Sequence, residues 1–104
     1  MVHVKLFSRG GQLCCFRIAG HAGGAAGRDI VCAAVSSAAL MAANTVTEVC
    51  GCRAVTRMRD GYLLCSVASG DLARAAEPLA GLQLHLCELQ AQYPHKIQVD
   101  LIEL

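Results

Sequence analysis

Residues 30–47 contain no Asp, Glu, Lys or Arg, a run of 18 uncharged positions. Such a run leaves a chain two options: a membrane span, for which about 20 apolar residues are needed, or a helix packed inside a soluble domain. Ser36, Ser37, Asn44, Thr45 and Thr47 interrupt the run, and alanine is its commonest residue. That mixture fits a buried helix, and a membrane is not expected as a partner. Asp29 stands directly before the run as a good N-cap, because its carboxylate can accept from the first unpaired backbone N–H groups. The helix is expected to reach about Glu48 or Val49, before Gly51. Small residues surround it on most faces, which predicts cover on more than one side.

The flanking segments alternate in the strand manner. Over residues 2–8, Val2, Val4 and Leu6 fall on one side and His3, Lys5 and Phe7 on the other. Arg9-Gly10-Gly11-Gln12 is a hairpin turn signal. Residues 13–19 then read as a second strand, with Cys14, Phe16 and Ile18 opposite Leu13, Cys15 and Arg17. Beyond the helix, Arg53, Val55, Arg57 and Arg59 alternate with Ala54, Thr56 and Met58. Asp60-Gly61, the strongest hairpin signal in the chain, returns residues 62–68 as the partner strand.

Ser69-Gly70-Asp71 opens a second helical segment. Leu72, Leu79, Leu86 and Tyr93 recur every seven residues and Ala75, Leu82 and Leu89 join them in one apolar stripe. Pro78 lacks an N–H and crowds the carbonyl of Arg74, which predicts a kink over residues 74–78 or two shorter helices. Tyr93-Pro94 ends the segment, and Ile97, Val99 and Leu101 alternate as a last strand. The order ββαββαβ gives a two-layer α+β domain over residues 1–104, a mixed or antiparallel sheet of about five strands with two helices on one face.

Apolar residues make up 55% of the chain, which excludes disorder as its main state. Nine Lys and Arg face eight Asp and Glu with no long run of one sign. A chain that binds phosphates normally shows a basic stripe, so no direct nucleic-acid partner is expected. Cysteines number seven, an odd count. Residues 1–5 alternate rather than form the apolar stretch of a secretory signal. Reduced thiols in a cytoplasmic protein are the simplest expectation.

Three kinds of site can be weighed. Cys50-Gly51-Cys52 and Cys14-Cys15 offer soft ligands, but no Cys-x-x-Cys pair exists and neighbours on a strand point to opposite faces. These cysteines read as small core residues, and no metal or cofactor is expected. The glycines at positions 20, 23, 24 and 27 suggest a phosphate loop, yet neither the Gly-Lys-Ser/Thr ending nor the G-x-G spacing is present.

The third is a nucleophile. Cys32 is the third residue of a helix capped by Asp29, so its sulfur is expected among backbone N–H groups without intrahelical partners, an environment that favours thiolate. The negative charge of Asp29 works against part of that effect. His21, at the end of the second strand, is placed to meet Cys32 and activate it.

Gly20-His21-Ala22, a small-residue loop and Asp29-Ile30-Val31-Cys32-Ala33-Ala34-Val35-Ser36 resemble the signature of the bacterial ribosomal-processing cysteine proteases (Prp). The N-terminal hairpin, Asp60-Gly61-Tyr62 and Gln92-Tyr93-Pro94 extend the similarity over nearly the whole chain. The resemblance implies a homodimeric α+β protease that trims a short N-terminal extension from a bacterial large-subunit ribosomal protein near the peptidyl-transferase centre. Cleavage would follow an apolar segment ending in Phe and precede Ala. On matching positions Cys32 would be the nucleophile, and His21 the general base and acid. Residues 22–28 depart from the family pattern in having fewer aromatic and charged side chains.

Around that pair, Gly20 is expected to let backbone pass close to substrate. Asp29 either caps the helix or orients His21. Ser36 follows Cys32 by four residues on the same helix face, where it borders the site or simply fills space under the sheet. Residues 22–28 read as a lid that orders on peptide. The free N–H groups of the helix start are candidate oxyanion donors. The alternative from another class is a non-catalytic dimeric module that binds a ribosomal protein or assembly factor.

Overall fold

The two alternating N-terminal segments pair through a glycine turn and form the middle of a sheet. In the computed structural model, which describes residues 1–20 and 29–104, these are β1 (Val2–Arg9) and β2 (Gln12–Ala19). Then come α1 (Ile30–Asn44), a π-helical turn (Thr45–Val49), β3 (Ala54–Arg59) and β4 (Tyr62–Val67). A 3-10 turn (Ser69–Asp71) leads into α2 (Leu72–Gln92), and β5 (Ile97–Glu103) completes the chain. The expected order ββαββαβ is the one observed.

The strands form one mixed sheet in the order β3-β4-β2-β1-β5. β1 pairs antiparallel with β2 and parallel with β5, whereas β4 lies antiparallel between β2 and β3. The parallel pair follows from the length of α2, which carries the chain back along the sheet before β5 begins. Val2, Val4 and Leu6, then Cys14, Phe16 and Ile18, then Leu63, Cys65 and Val67, all turn to the helix side and are buried. Both helices cover that side, and among the described residues no helix covers the opposite sheet face.

Helix α1 buries a single stripe, Val31, Val35, Ala39, Ala42 and Ala43, continued by Val46. Among the described residues the expected cover on several sides does not occur, and Ile30, Met41 and Val49 are each more than two-thirds exposed. One flank suffices because the stripe is built of small residues that pack closely against the sheet layer and α2. The end at Val49 agrees with the expectation, but the last turn is π-helical: the Cys50 N–H donates to the Thr45 carbonyl, five residues back, at 2.8 Å. Thr45 and Thr47 hydroxyls donate to the carbonyls of Met41 and Ala43, which competes with regular α pairing in this turn.

Helix α2 corrects the expectation of two shorter helices. It is continuous over Leu72–Gln92 with Pro78 inside. The reason is the stripe: Leu72, Ala75, Leu79, Leu82, Leu86 and Leu89 are all buried on one face. Each buried leucine contributes about 1.5–3 kcal/mol, so keeping all of them in register outweighs the cost of about 3 kcal/mol for one interior proline.

Asp71 ties the start of α2 to the segment before β3. Its carboxylate accepts from the Arg53 N–H at 2.8 Å and from the Arg74 guanidinium at 2.6 Å. The Arg53 backbone N–H, with the Arg74 guanidinium next, holds the Asp71 carboxyl down at about 2.

Candidate active site

The site forms where three chain segments converge at one end of the sheet. The first is the exit of β2. Gly20 adopts φ +98°, a conformation favourable only for glycine, and a Cβ there would lie 2.5 Å from the Met1 carbonyl oxygen. Its N–H donates to the Gly61 carbonyl at 3.0 Å. The close backbone approach that makes glycine necessary here is thus to Met1, and the bond to Gly61 fixes the β3–β4 turn beside the end of β2.

The second segment is the start of α1. Asp29 has extended backbone angles (φ −82°, ψ 100°), and its Oδ1 accepts from the N–H groups of Val31 and Cys32, both at 3.1 Å. Asp29 is therefore the N-cap, one of its two expected roles. This corrects one detail of the sequence reading. The Val31 and Cys32 N–H groups are already held by the Asp29 carboxylate, so they are not open donors for the thiolate or for an oxyanion. The same carboxylate draws negative charge close to the helix end and offsets part of its positive dipole.

The third segment is the β3–β4 hairpin. With the start of α1 and the end of β2 it encloses a cleft of about 810 Å³, lined by Gly20, Asp29, Cys32, Ser36, Met58 and Tyr62 among others. Cys32 is half-buried and Ser36 exposed, and the two share this cleft one helical turn apart. Of the predicted site residues, Gly20, Asp29, Cys32 and Ser36 are brought together. His21 lies outside the described residues, as does the 22–28 segment read as a lid.

Met58, Tyr62 and Leu40 also line the cleft, and the sequence assigns none of them a role in the site, although Tyr62 belongs to the Asp60-Gly61-Tyr62 similarity. Met58 is 70% exposed, and Arg59 stacks on the Tyr62 ring at 4.3 Å from its centroid. The Asp60-Gly61 signal locates their hairpin, but only the pairing of β4 with β2 carries it to the cleft.

The other cysteines sit in different surroundings. Cys14, Cys52 and Cys65 are buried. Burial pushes the Cys65 thiol up to about 11 and also raises Cys15. Cys52 Sγ donates to the Asp71 carbonyl at 3.6 Å. Among the described residues no cluster of three His, Cys, Asp or Glu side chains is arranged to hold a metal ion. Chemically the cleft offers a thiol at a helix start, walls with exposed apolar side chains, and room for an extended peptide.

The sequence matches the family model for the cysteine protease Prp over residues 1–98. Among solved structures, the S. aureus ribosomal processing protease Prp with a covalently linked product peptide superposes with a TM-score of 0.89 at 22% identity, covering 97% of this chain and 99% of that one. The same protease with a substrate peptide gives 0.85 at 21% identity and the same coverage, 97% and 99%. A Streptococcus mutans protein gives 0.86 at 24% identity, covering 100% of this chain and 96% of that one. At these identities the likeness establishes the fold. No curated protein matches by sequence.

Proposed function

The chain belongs to the Prp family of cysteine proteases, and from that membership we propose that it removes a short N-terminal extension from a bacterial large-subunit ribosomal protein, with Cys32 as nucleophile and His21 as general base and acid. The observation that carries this assignment is the position of Cys32. Half-buried at the start of α1, it lines the cleft of about 810 Å³ between that helix start and the β3–β4 hairpin.

The S. aureus protease of the same fold is a ribosomal processing enzyme that has been captured with peptide. His21 follows Gly20, and Gly20 lines the cleft with Cys32. In the proposed reaction His21 takes the thiol proton, and the thiolate attacks the scissile carbonyl. The tetrahedral intermediate collapses to a thioester as His21 protonates the leaving amine. Water, deprotonated by the same imidazole, then releases the acyl group and restores the thiol.

Asp29 supports this chemistry by fixing the first turn of α1, and with it the direction of the Cys32 side chain. The exposed Met58 and Leu40 suit an apolar segment ending in Phe on the acyl side of the scissile bond. Homodimer formation and a cytoplasmic location complete the proposal.

The test is intact-mass spectrometry of a peptide spanning an apolar-Phe-Phe-Ala junction, incubated with the protein, Cys32→Ala and His21→Ala. Cleavage before Ala by the parent alone is expected. Cleavage by both variants would remove the dyad, and binding without cleavage by the parent would favour the non-catalytic module.

A further inference from the structure

We infer that the face of the sheet opposite the helices is a binding surface for single-stranded RNA. Strand register gathers there cations that are scattered in the sequence. Asp100 pairs with Lys5, Lys5 with Arg17, Arg17 with Leu64 and Leu64 with Arg57, which makes one row across five strands. At a strand spacing of about 4.8 Å, Lys5 and Arg57 mark out about 14 Å. The adjacent row adds Arg59 opposite Tyr62.

Like charges directly opposite on neighbouring strands destabilise a sheet, and Lys5 beside Arg17 is such a pair at its centre. The only carboxylate in that row is Asp100, at the β5 edge. Among the described residues the ion pairs are Arg53–Asp71 and Arg74–Asp71, so none of the sheet-face cations is held in a contact ion pair, although Lys5 has Asp100 opposite it. A chain of formal charge +1 therefore presents a distinctly cationic face.

Two aromatic rings share this face. The Arg17 guanidinium lies 6.0 Å from the Phe7 centroid, and that of Arg59 lies 4.3 Å from the Tyr62 centroid. A shallow cavity of about 460 Å³ runs along it, lined by Phe7, Arg9, Arg17, Tyr62, Leu64 and Ser66 among others. Cations spaced along a flat sheet, with ring and guanidinium planes between them, match a polyanion that carries planar bases. An acidic peptide would use the charges and leave the rings without partners. The expectation of no nucleic-acid partner rested on the missing basic run in the sequence; the sheet assembles that stripe from positions 5, 17, 57 and 59. The inference does not depend on the proposed cleavage reaction.

The experiment is fluorescence anisotropy of a labelled oligouridine of about twelve nucleotides, titrated with the full chain at about 50 mM salt. Saturable binding is expected, with a slope of log K against log salt near −2 for three phosphates neutralised. Arg17→Glu with Arg57→Glu should weaken it at least about tenfold and flatten the slope, and Phe7→Leu should weaken it about fivefold. Circular dichroism melts of each variant, and peptide cleavage by the same preparations, report folding and protease activity separately. Absence of binding by the parent, binding unchanged in the folded double variant, or equal affinity for polyglutamate would overturn the inference.

Discussion

Two aspartates precede the two helices of this fold, and each has a cysteine nearby, yet the two helix starts have become different things. At α2, Asp71 caps nothing with its side chain. Its carboxylate is held by Arg53 and Arg74, while Cys52 is buried and bonded to the Asp71 carbonyl. At α1, the Asp29 carboxylate binds two backbone N–H groups, and Cys32 opens on a cleft. An acid and a thiol beside a helix start make an anchor when charge partners and burial surround them. They make a reactive site when the acid caps the first turn of the helix and the thiol lines a cleft.

The sharpest break between the two regions is expected in their cysteines. Cys32→Ala should lower peptide cleavage by at least about a thousandfold, whereas Cys52→Ala should leave kcat/KM within about threefold and show its effect in stability alone. Parallel assays and thermal melts of the two variants check this. Gly20→Ala comes next. The new Cβ would meet the Met1 carbonyl in a backbone conformation only glycine adopts readily, so a loss of about 2–3 kcal/mol in urea unfolding is expected.

Asp71→Asn should lower the melting temperature by several degrees. Because the Asp71 carboxyl titrates at about 2 rather than 3.8, its contribution is fully present above pH 4 and fades as pH falls through 2. The difference in melting temperature between parent and variant should therefore shrink over that window. The smallest effect is expected at the other aspartate. Asp29→Ser keeps a capping oxygen and should hold activity within a few fold, while Asp29→Ala costs about 1 kcal/mol of stability. A large kcat loss in the folded Asp29→Ser protein would give Asp29 a direct part in positioning His21.

What the sequence disclosed follows the range of the interactions. The strands were legible because Val2-Val4-Leu6 and Cys14-Phe16-Ile18 alternate, and the cap at Asp29 because its bonds reach only two and three residues. The continuity of α2 through Pro78 was not, since it depends on burying Leu72 and Leu86 against the same core. The π turn at the end of α1 is an exception to that rule: its bonds span only four and five residues, but no residue pattern separates it from a regular α turn. The cleft wall of Met58 and Tyr62 escaped as well, because β3 and β4 reach the site only through the pairing of β4 with β2. The cationic sheet face was hidden for the same reason: its residues are neighbours in register and strangers in sequence.

The most direct test of the central claim is to locate the acyl group during turnover. The protein is mixed with the Phe-Phe-Ala peptide, quenched in acid within the first turnover, digested and analysed by fragment mass spectrometry, which separates Cys32 from Cys50 and Cys52. The account predicts a thioester adduct on Cys32 that disappears as product forms. Acylation of another cysteine, or turnover by Cys32→Ala, would contradict it.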